Sequence, residues 1–433
     1  MKKILVQGCS IVPVRGPVID KGAIAIAGDR LAYVGPAEEL PPGWEEGEII
    51  RAEGRVALPG LVNIHTHAAM TLFRGYADDL PLRQWLEEKI WPVEDRLQWD
   101  DIYWGTQLAL AEMIRSGTTT FADMYFHMDA VARAVEEAGM RACLCQGLIA
   151  IGGAGNERLR TAESLVRDWH GAGDGRITTM LGPHAPYTCP PDYLAKVAEV
   201  AARLGVGLHI HLAETRQEVE EIRSVYGSPP VAHVARLGLF ELPTLAAHCV
   251  HLTEEEIAIL AEKKVAVAHC PESNLKLASG VAPIPALLRA GVTVGVGTDG
   301  AASNNNLDLL EEMRTAALLA KGISGDPTVL KAEEALAMAT INGARALGLE
   351  EEIGTLEAGK KADVVLLNIR QPHLQPVNDL VAHVVFAARG GDVDTVIVNG
   401  RVLMAGGRLQ TLDEERIYRE ANRRIRALQG LSK

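Results

Sequence analysis

Two histidines of this 433-residue chain, His65 and His67, are separated by one residue near the end of an apolar run. Side chains alternate between the faces of a β-strand, so both rings turn to the same side, close enough to chelate one ion. A lone His-x-His has a ready explanation in core packing. Joined by His211 and Asp299, it becomes three neutral imidazoles and a carboxylate, a set that suits a catalytic divalent metal such as zinc with one position open. Water on such an ion has its pKa lowered to about 7, which points to hydrolysis near neutral pH. His209 and His211 form a second His-x-His, and spacing alone leaves the choice of ligand between them open. His211 lies nearer the strand end and is preferred, with His209 expected to fill an interior layer. Asp123 is expected to orient a ligand histidine rather than act on substrate, and His269 stands between core packing and a pocket role.

For these residues to meet, the elements carrying them must converge. From about Arg55 the sequence repeats one cycle: a short run rich in Val, Ile and Thr, a polar loop, then a helical pattern ending near a glycine. The strand candidates are Val56 to Ile64, Thr118 to Asp123, Met140 to Leu148, Ile177 to Leu181, Val206 to His211, Leu245 to Cys249, Val265 to Ala268 and Val292 to Gly297. Between them Gln98 to Ser116 reads as a helix, with Gly117 at the place of a C-terminal αL cap, and Pro190 to Leu204 as another, opening on proline. Alternating strands and helices imply parallel strands with right-handed crossovers, and eight such units close into an α/β barrel of the (β/α)8 TIM type, here over residues 56–352. Such barrels carry their active sites at the C-terminal ends of the strands. Of 13 histidines, His65, His67, His184, His211, His248 and His269 fall at such ends, as do Asp123, Glu214 and Asp299.

Residues 1–55 and 353–433 remain, neither long enough to bury a core comfortably alone. Strand-like Ala23 to Val34, Asp363 to Leu367 and Thr395 to Val398 predict one small β domain built from both chain ends, with Leu412 to Leu428 as a terminal helix.

Composition narrows the function classes. Hydrophobic residues make up 48% and charged residues 23%, the balance of an ordinary globular protein. Lys and Arg number 43 against 56 Asp and Glu, a formal charge of −13 with no basic stripe, so nucleic acid is not an expected partner. The six cysteines lack CxxC pairing and the density of a disulfide scaffold, which fits a reducing cytoplasm. The apolar run after Met1-Lys2-Lys3 ends at Gln7, short of a signal-peptide core, and no 18-residue apolar stretch suggests a membrane span. A homo-oligomer is compatible with the sequence.

Several segments then resemble a known family. Pro59-Gly60-Leu61-Val62-Asn63-Ile64-His65-Thr66-His67, His211-Leu212-Ala213-Glu214-Thr215, His248-Cys249-Val250-His251-Leu252 and Thr298-Asp299-Gly300 resemble the amidohydrolase superfamily. Within its deaminase and chlorohydrolase branch the chain looks most similar to 5'-methylthioadenosine/S-adenosylhomocysteine deaminases, through Phe73-Arg74-Gly75, Trp91-Pro92-Val93-Glu94 and Pro183-His184-Ala185-Pro186-Tyr187. The resemblance covers nearly the whole chain.

It implies a barrel with a small β domain, one divalent metal per chain (Zn2+, with Fe2+ equally compatible with the ligands) and a small nucleoside substrate. His65, His67, His211 and Asp299 become metal ligands, Glu214 the proton shuttle, His248 the group polarising the attacking water and Asp299 the acceptor of its proton. Glu94 and Ser303 would contact ribose and purine, and His184 would face the sugar. Relatives that accept S-adenosylhomocysteine carry an arginine on the third strand where this chain has Gln146, and the next loop here offers Arg158 and Arg160 for the substrate tail. A preference for uncharged tails is therefore expected, offset where either arginine reaches the carboxylate. The other readings are a deaminase or chlorohydrolase of the same branch acting on guanine, a pterin or a triazine, a two-metal cyclic amidohydrolase, and a non-catalytic scaffold. The two-metal enzyme would need a bridging lysine that Thr178-Thr179-Met180-Leu181-Gly182 lacks, and a scaffold would be expected to have lost ligands. The zinc deaminase signature H-x-E with P-C-x-x-C is missing from the chain.

Overall fold

The computed structural model describes residues 2–430. Eight strands form one sheet in sequence order: β1 (Leu61–Thr66), β2 (Thr118–Tyr125), β3 (Arg141–Leu148), β4 (Ile177–Pro183), β5 (Leu208–Leu212), β6 (Thr244–His248), β7 (Ala266–His269) and β8 (Val294–Val296). Every neighbouring pair is parallel, as helix-bearing crossovers require. The last strand returns to the first: Thr298 N donates to Asn63 Oδ1 at 3.1 Å and Asp299 N to His65 O at 2.9 Å. Branched and small side chains such as Val62, Ile64, Ala122 and Ala247 fill the interior, and the helices pack their apolar faces on its outside.

A second, nine-stranded sheet joins the chain ends. Strand Arg55–Pro59 runs parallel to Lys3–Ile11 on one side and antiparallel to Val364–Asn368 on the other, so both termini share one hydrogen-bonded layer. Ile4, Val6, Ile24, Ile26, Val364 and Ile397 form its core.

Two expected strands divide. Val56 to Ile64 is two strands, the first in the outer sheet and the second in the barrel, with the crossing at Gly60. A Cβ there would lie 2.0 Å from the Thr119 hydroxyl oxygen, so only glycine lets the chain pass between sheets. Ala23 to Val34 is a hairpin, Ile19–Ala27 and Arg30–Pro36, turning at Gly28, whose φ is +65°. The helices follow expectation to within two residues: Trp99–Arg115 ends just before Gly117 at φ +88°, Pro191–Leu204 opens on proline, and Glu414–Leu428 is capped by Asp413. The cyclic pattern gave no sign of the helical segment Leu82–Glu94, with π-helix over Trp85–Ile90, whose side chains line the barrel mouth. Among the described residues no helix is long and apolar enough to cross a membrane.

Candidate metal centre and active site

The strand ends turn abruptly, and that turning aims the site. Ala213, His248 and Asp299, each just past or at the end of β5, β6 and β8, have φ of +51°, +72° and +58°, a left-handed conformation costly for residues with a Cβ and common at functional sites. Backbone bonds hold it: Ala213 O accepts from Val250 N at 3.0 Å and His251 N at 2.9 Å.

His65, His67 and His211 converge, and each of the three ring sets offers a nitrogen within 4.8 Å of the others. His67 Nε2 lies 3.3 Å from His211 Nε2 and 3.3 Å from Asp299 Oδ1, and His65 Nε2 lies 3.5 Å from the same oxygen. The far nitrogens are all engaged. His67 Nδ1 faces Met124 O at 2.5 Å, His211 Nδ1 faces His184 O at 2.8 Å and His65 Nδ1 faces His209 Nε2 at 2.8 Å. Carbonyls only accept, so His67 and His211 carry their protons on Nδ1 and keep the Nε2 lone pairs for a metal. His65 Nε2 is buried with no hydrogen-bond partner, a cost that coordination removes. Burial holds His65 down at about 4 and His211 well below its usual value, so both are neutral imidazoles. Three imidazoles and one carboxylate fit zinc.

Asp299 is braced on both oxygens. Gly300 N donates to Oδ1 at 2.8 Å, while the hydroxyls of Ser273 and Ser303 donate to Oδ2 at 2.6 and 3.0 Å. Burial alone would raise this carboxyl, but the imidazoles of His65, His67 and His248 beside it outweigh burial and hold it well below the usual range. Glu214 stands beside the centre, its Oε2 3.7 Å from His248 Nε2 and its Oε1 accepting from Ser279 Oγ at 3.2 Å. Burial raises the Glu214 carboxyl above its usual value. His248 Nδ1 meets Asn274 Oδ1 at 2.9 Å, which turns Nε2 toward Glu214. Burial pulls His248 down, yet the carboxylates of Glu214 and Asp299 overcome it and leave it raised.

A chamber opens above this cluster, walled by Glu94, Tyr125, His184, Tyr187, Leu277 and Ser303. Tyr125 donates its hydroxyl proton to Glu94 Oε1 at 2.5 Å, and burial pushes the Glu94 carboxyl up to about 7. His184 Nδ1 is 3.0 Å from Thr188 Oγ1, whose own proton goes to Ala185 O at 3.1 Å, so the ring donates from Nδ1 and presents Nε2 as an acceptor. Beyond Glu94 a cavity of ≈ 700 Å³ is lined by Gln146 and Arg158, and Gln146 Oε1 and Arg158 Nη1 are buried there without partners.

Two expectations need correction. Asp123 orients no histidine: its Oδ1 accepts from Ala68 N at 2.7 Å, Oδ2 has no partner, and the backbone carbonyl of Met124 takes the His67 ring instead. Arg160 is exposed on a helix that presents Arg158, not Arg160, to the cavity, since residues two apart in a helix point about 200° apart. Ser303 lines the chamber, as its expected place beside the substrate requires, and its hydroxyl proton is shared between Asp299 Oδ2 and Gly300 O. His269 is buried outside the chamber lining, and His209 lies behind His65, its Nδ1 3.6 Å from Cys145 Sγ. Reading the sequence missed Tyr125, Ser273, Asn274 and Ser279. Tyr125 lies two residues after Asp123 on β2, and Ser273 and Asn274 open the helix after β7, so the strand-end rule, pressed one turn further, finds them.

Comparison with known proteins adds to this geometry. Residues 56–403 match the family model described as the amidohydrolase family. The chain is 70% identical over 425 residues to a 5-methylthioadenosine/S-adenosylhomocysteine deaminase of Moorella thermoacetica, covering 98% of this chain and 99% of the relative. Among solved structures it is similar to a zinc-bound adenosine deaminase of Xanthomonas campestris, with a TM-score of 0.95, 38% identity and coverage of 98% and 99%. An atrazine chlorohydrolase of Arthrobacter aurescens complexed with zinc is also similar, with a TM-score of 0.90, 27% identity and coverage of 98% and 100%.

Proposed function

Because this chain belongs to the amidohydrolase family, we propose a division of labour among its residues for the reaction its relatives define. The enzyme is a metal-dependent hydrolytic deaminase that converts the adenine of 5'-methylthioadenosine, S-adenosylhomocysteine or adenosine-like nucleosides to hypoxanthine, releasing ammonia. One divalent ion, zinc, held by His65, His67, His211 and Asp299, supplies Lewis-acid activation of water when bound. The observation that carries the assignment is the placement of a buried Glu214 between that ligand cluster and a chamber walled by Glu94 and His184.

Water adds to C6, a proton reaches N1, and ammonia leaves from the tetrahedral carbon as the C6 oxygen becomes a carbonyl. Asp299 takes the proton of the attacking water on its carboxylate. Glu214 delivers a proton to N1, which loads the ring for addition, and takes the C6 hydroxyl proton as the carbonyl forms, while the proton held by Asp299 passes to the departing amine, so both carboxyls end as they began. His248 Nε2, protonated, donates to the oxygen that develops charge at C6. Glu94 accepts the ribose hydroxyls with the oxygens left after Tyr125, and His184 Nε2 accepts another from the sugar. The cavity of Gln146 and Arg158 receives the 5' substituent; Gln146 offers only neutral contacts, while the Arg158 guanidinium can meet a carboxylate with two charge-assisted hydrogen bonds. Six buried free cysteines support a cytoplasmic setting.

The test is a spectrophotometric screen of adenosine, 5'-deoxyadenosine, methylthioadenosine, S-adenosylhomocysteine, guanine and cytosine, following purine absorbance and ammonia. Turnover of the adenine nucleosides with none of guanine is expected. Guanine as the preferred substrate would refute the nucleoside reading of Glu94 and His184.

A further inference from the structure

One buried carboxylate near the centre has no part in the steps above. Glu218 lies in the first turn of the helix Arg216–Tyr226 and is 5% exposed. Its Oε1 accepts from the peptide N–H of Ala213 at 2.9 Å and its Oε2 from that of Glu214 at 2.8 Å. Its own N–H donates to Thr215 Oγ1 at 3.1 Å, so the helix start and the exit of β5 are tied through one side chain. The clamped peptide is the one where Ala213 sits at φ +51°. Two peptide N–H groups in that conformation point away from the barrel ladder and need an acceptor that no strand supplies. Burial pushes Glu218 up to about 7 while the two N–H bonds pull it back. A neutral cap would satisfy one N–H without the cost of burying a charge. A carboxylate is the side chain that satisfies two adjacent N–H groups at once.

We propose that Glu218 is a positioning residue for proton transfer: by clamping the Ala213 and Glu214 peptides it fixes the point from which Glu214 reaches the substrate. The clamp works together with Ser279, which donates to Glu214 Oε1 at 3.2 Å and whose carbonyl is held by His251 Nε2 at 2.6 Å. Glu218 fixes the backbone of Glu214 and Ser279 the head of its side chain. Displacements of about 1 Å at a reacting group cost up to about 100-fold in rate. The inference rests on Glu214 being the proton shuttle.

Glu218→Gln keeps the shape but turns amide hydrogens toward one of the two peptide N–H groups. The expected result with methylthioadenosine is kcat lowered by about 10- to 100-fold, KM changed by less than about threefold, and one metal per chain retained by elemental analysis. Glu214→Gln by itself should lower kcat by about 10² to 10⁴ with the metal kept. In that background Glu218→Gln should cost less than about threefold further, because the clamp has lost what it positions. Multiplicative losses in the double variant, a KM that rises in step, lost metal, or a Glu218→Gln kcat within about threefold of wild type would each overturn the proposal. A Glu214→Gln variant within about threefold of wild type would instead remove Glu214 from the mechanism. Where Glu218→Gln fails to fold by circular dichroism, Glu218→Asp, which keeps the charge one methylene short, carries the same cycle with the same criteria.

Discussion

Removing the Tyr125 hydroxyl separates the reading of the sugar from the chemistry at the ring. Tyr125 donates to Glu94 at 2.5 Å, and that bond lowers a carboxyl that burial has raised to about 7. Hydrogen bonds to charged groups contribute about 1.5 to 3 kcal/mol and one pKa unit is about 1.36 kcal/mol, so Tyr125→Phe should raise the Glu94 pKa by about one to two units. Ionised Glu94 accepts ribose hydroxyls, so the contact is present at high pH and lost as pH falls through about 7 in the wild type. In the variant that loss should come at about pH 8 to 9. The assay is kcat/KM for methylthioadenosine between roughly pH 6 and 9.5, since that ratio reports groups of the free enzyme. With 2',3'-dideoxyadenosine, which lacks the hydroxyls, the acid limb should be absent in both proteins. An acid limb at the same pH in wild type and variant, or one that persists with the dideoxy substrate, would refute the assignment of Glu94. Stability moves the other way. The folded value lies above the ordinary 4.5, so the native state holds the extra proton, and stability present below 4.5 is lost as pH rises through about 7. Glu94→Gln should therefore gain more melting temperature over wild type at pH 8 than at pH 5.

The purified protein should carry about one divalent metal per chain, and two equivalents in the active enzyme would rule out a mononuclear centre. His211→Ala should strip the metal under a chelator challenge that His209→Ala largely survives, because a partner behind a ligand typically costs about 10- to 100-fold in affinity and a lost ligand more; equal loss would place His209 in the ligand set. Gln146→Arg should raise kcat/KM for S-adenosylhomocysteine relative to methylthioadenosine by about 10- to 150-fold, Arg158→Ala should lower that ratio, and Arg160→Ala should leave it unchanged. An unmoved ratio in both Gln146→Arg and Arg158→Ala would show that this cavity does not read the substrate tail.

The barrel was legible because its signal repeats. A period-two apolar run followed by a helical pattern eight times over leaves one compact closure, and a boundary error in any one unit does not disturb it. The outer sheet was half legible: Asp363 to Leu367 and Thr395 to Val398 announce strands by composition, but nothing in Arg55–Pro59 says which sheet it joins. That depends on a partner, Val364–Asn368, more than 300 residues away, and on Gly60 passing Thr119 too closely for any side chain. The Leu82–Glu94 segment was hidden because it packs over a cavity, so two-sided demands blur the 3.6-residue pattern that a helix on a solid core would show.

The site divides along a similar line. Residues suited to touch a metal are few in type and fall at strand ends, so position and chemistry together single out His65, His67, His211 and Asp299, which the structure brings side by side. The residues that hold them in place are ordinary: a carbonyl for His67, a carbonyl for His211, two serines for Asp299, an asparagine for His248, a tyrosine for Glu94. Any partner of suitable reach can do such a task, which is why Asp123 looked right for a ligand histidine and yet a backbone carbonyl holds His67. Arg158 and Arg160 make the same point at the chamber's edge. Two residues of one type, two positions apart, differ only in helical phase, and that phase is set by how the helix Gly155–Trp169 packs Leu159, Ala162 and Val166 against the barrel. The apolar spacing was in the sequence all along: at about 100° per residue Leu159, Ala162, Leu165 and Val166 form a stripe that lies on Arg158's side of Leu159, so Arg158 borders the packed face and meets the cavity while Arg160, about 200° from it, turns to solvent.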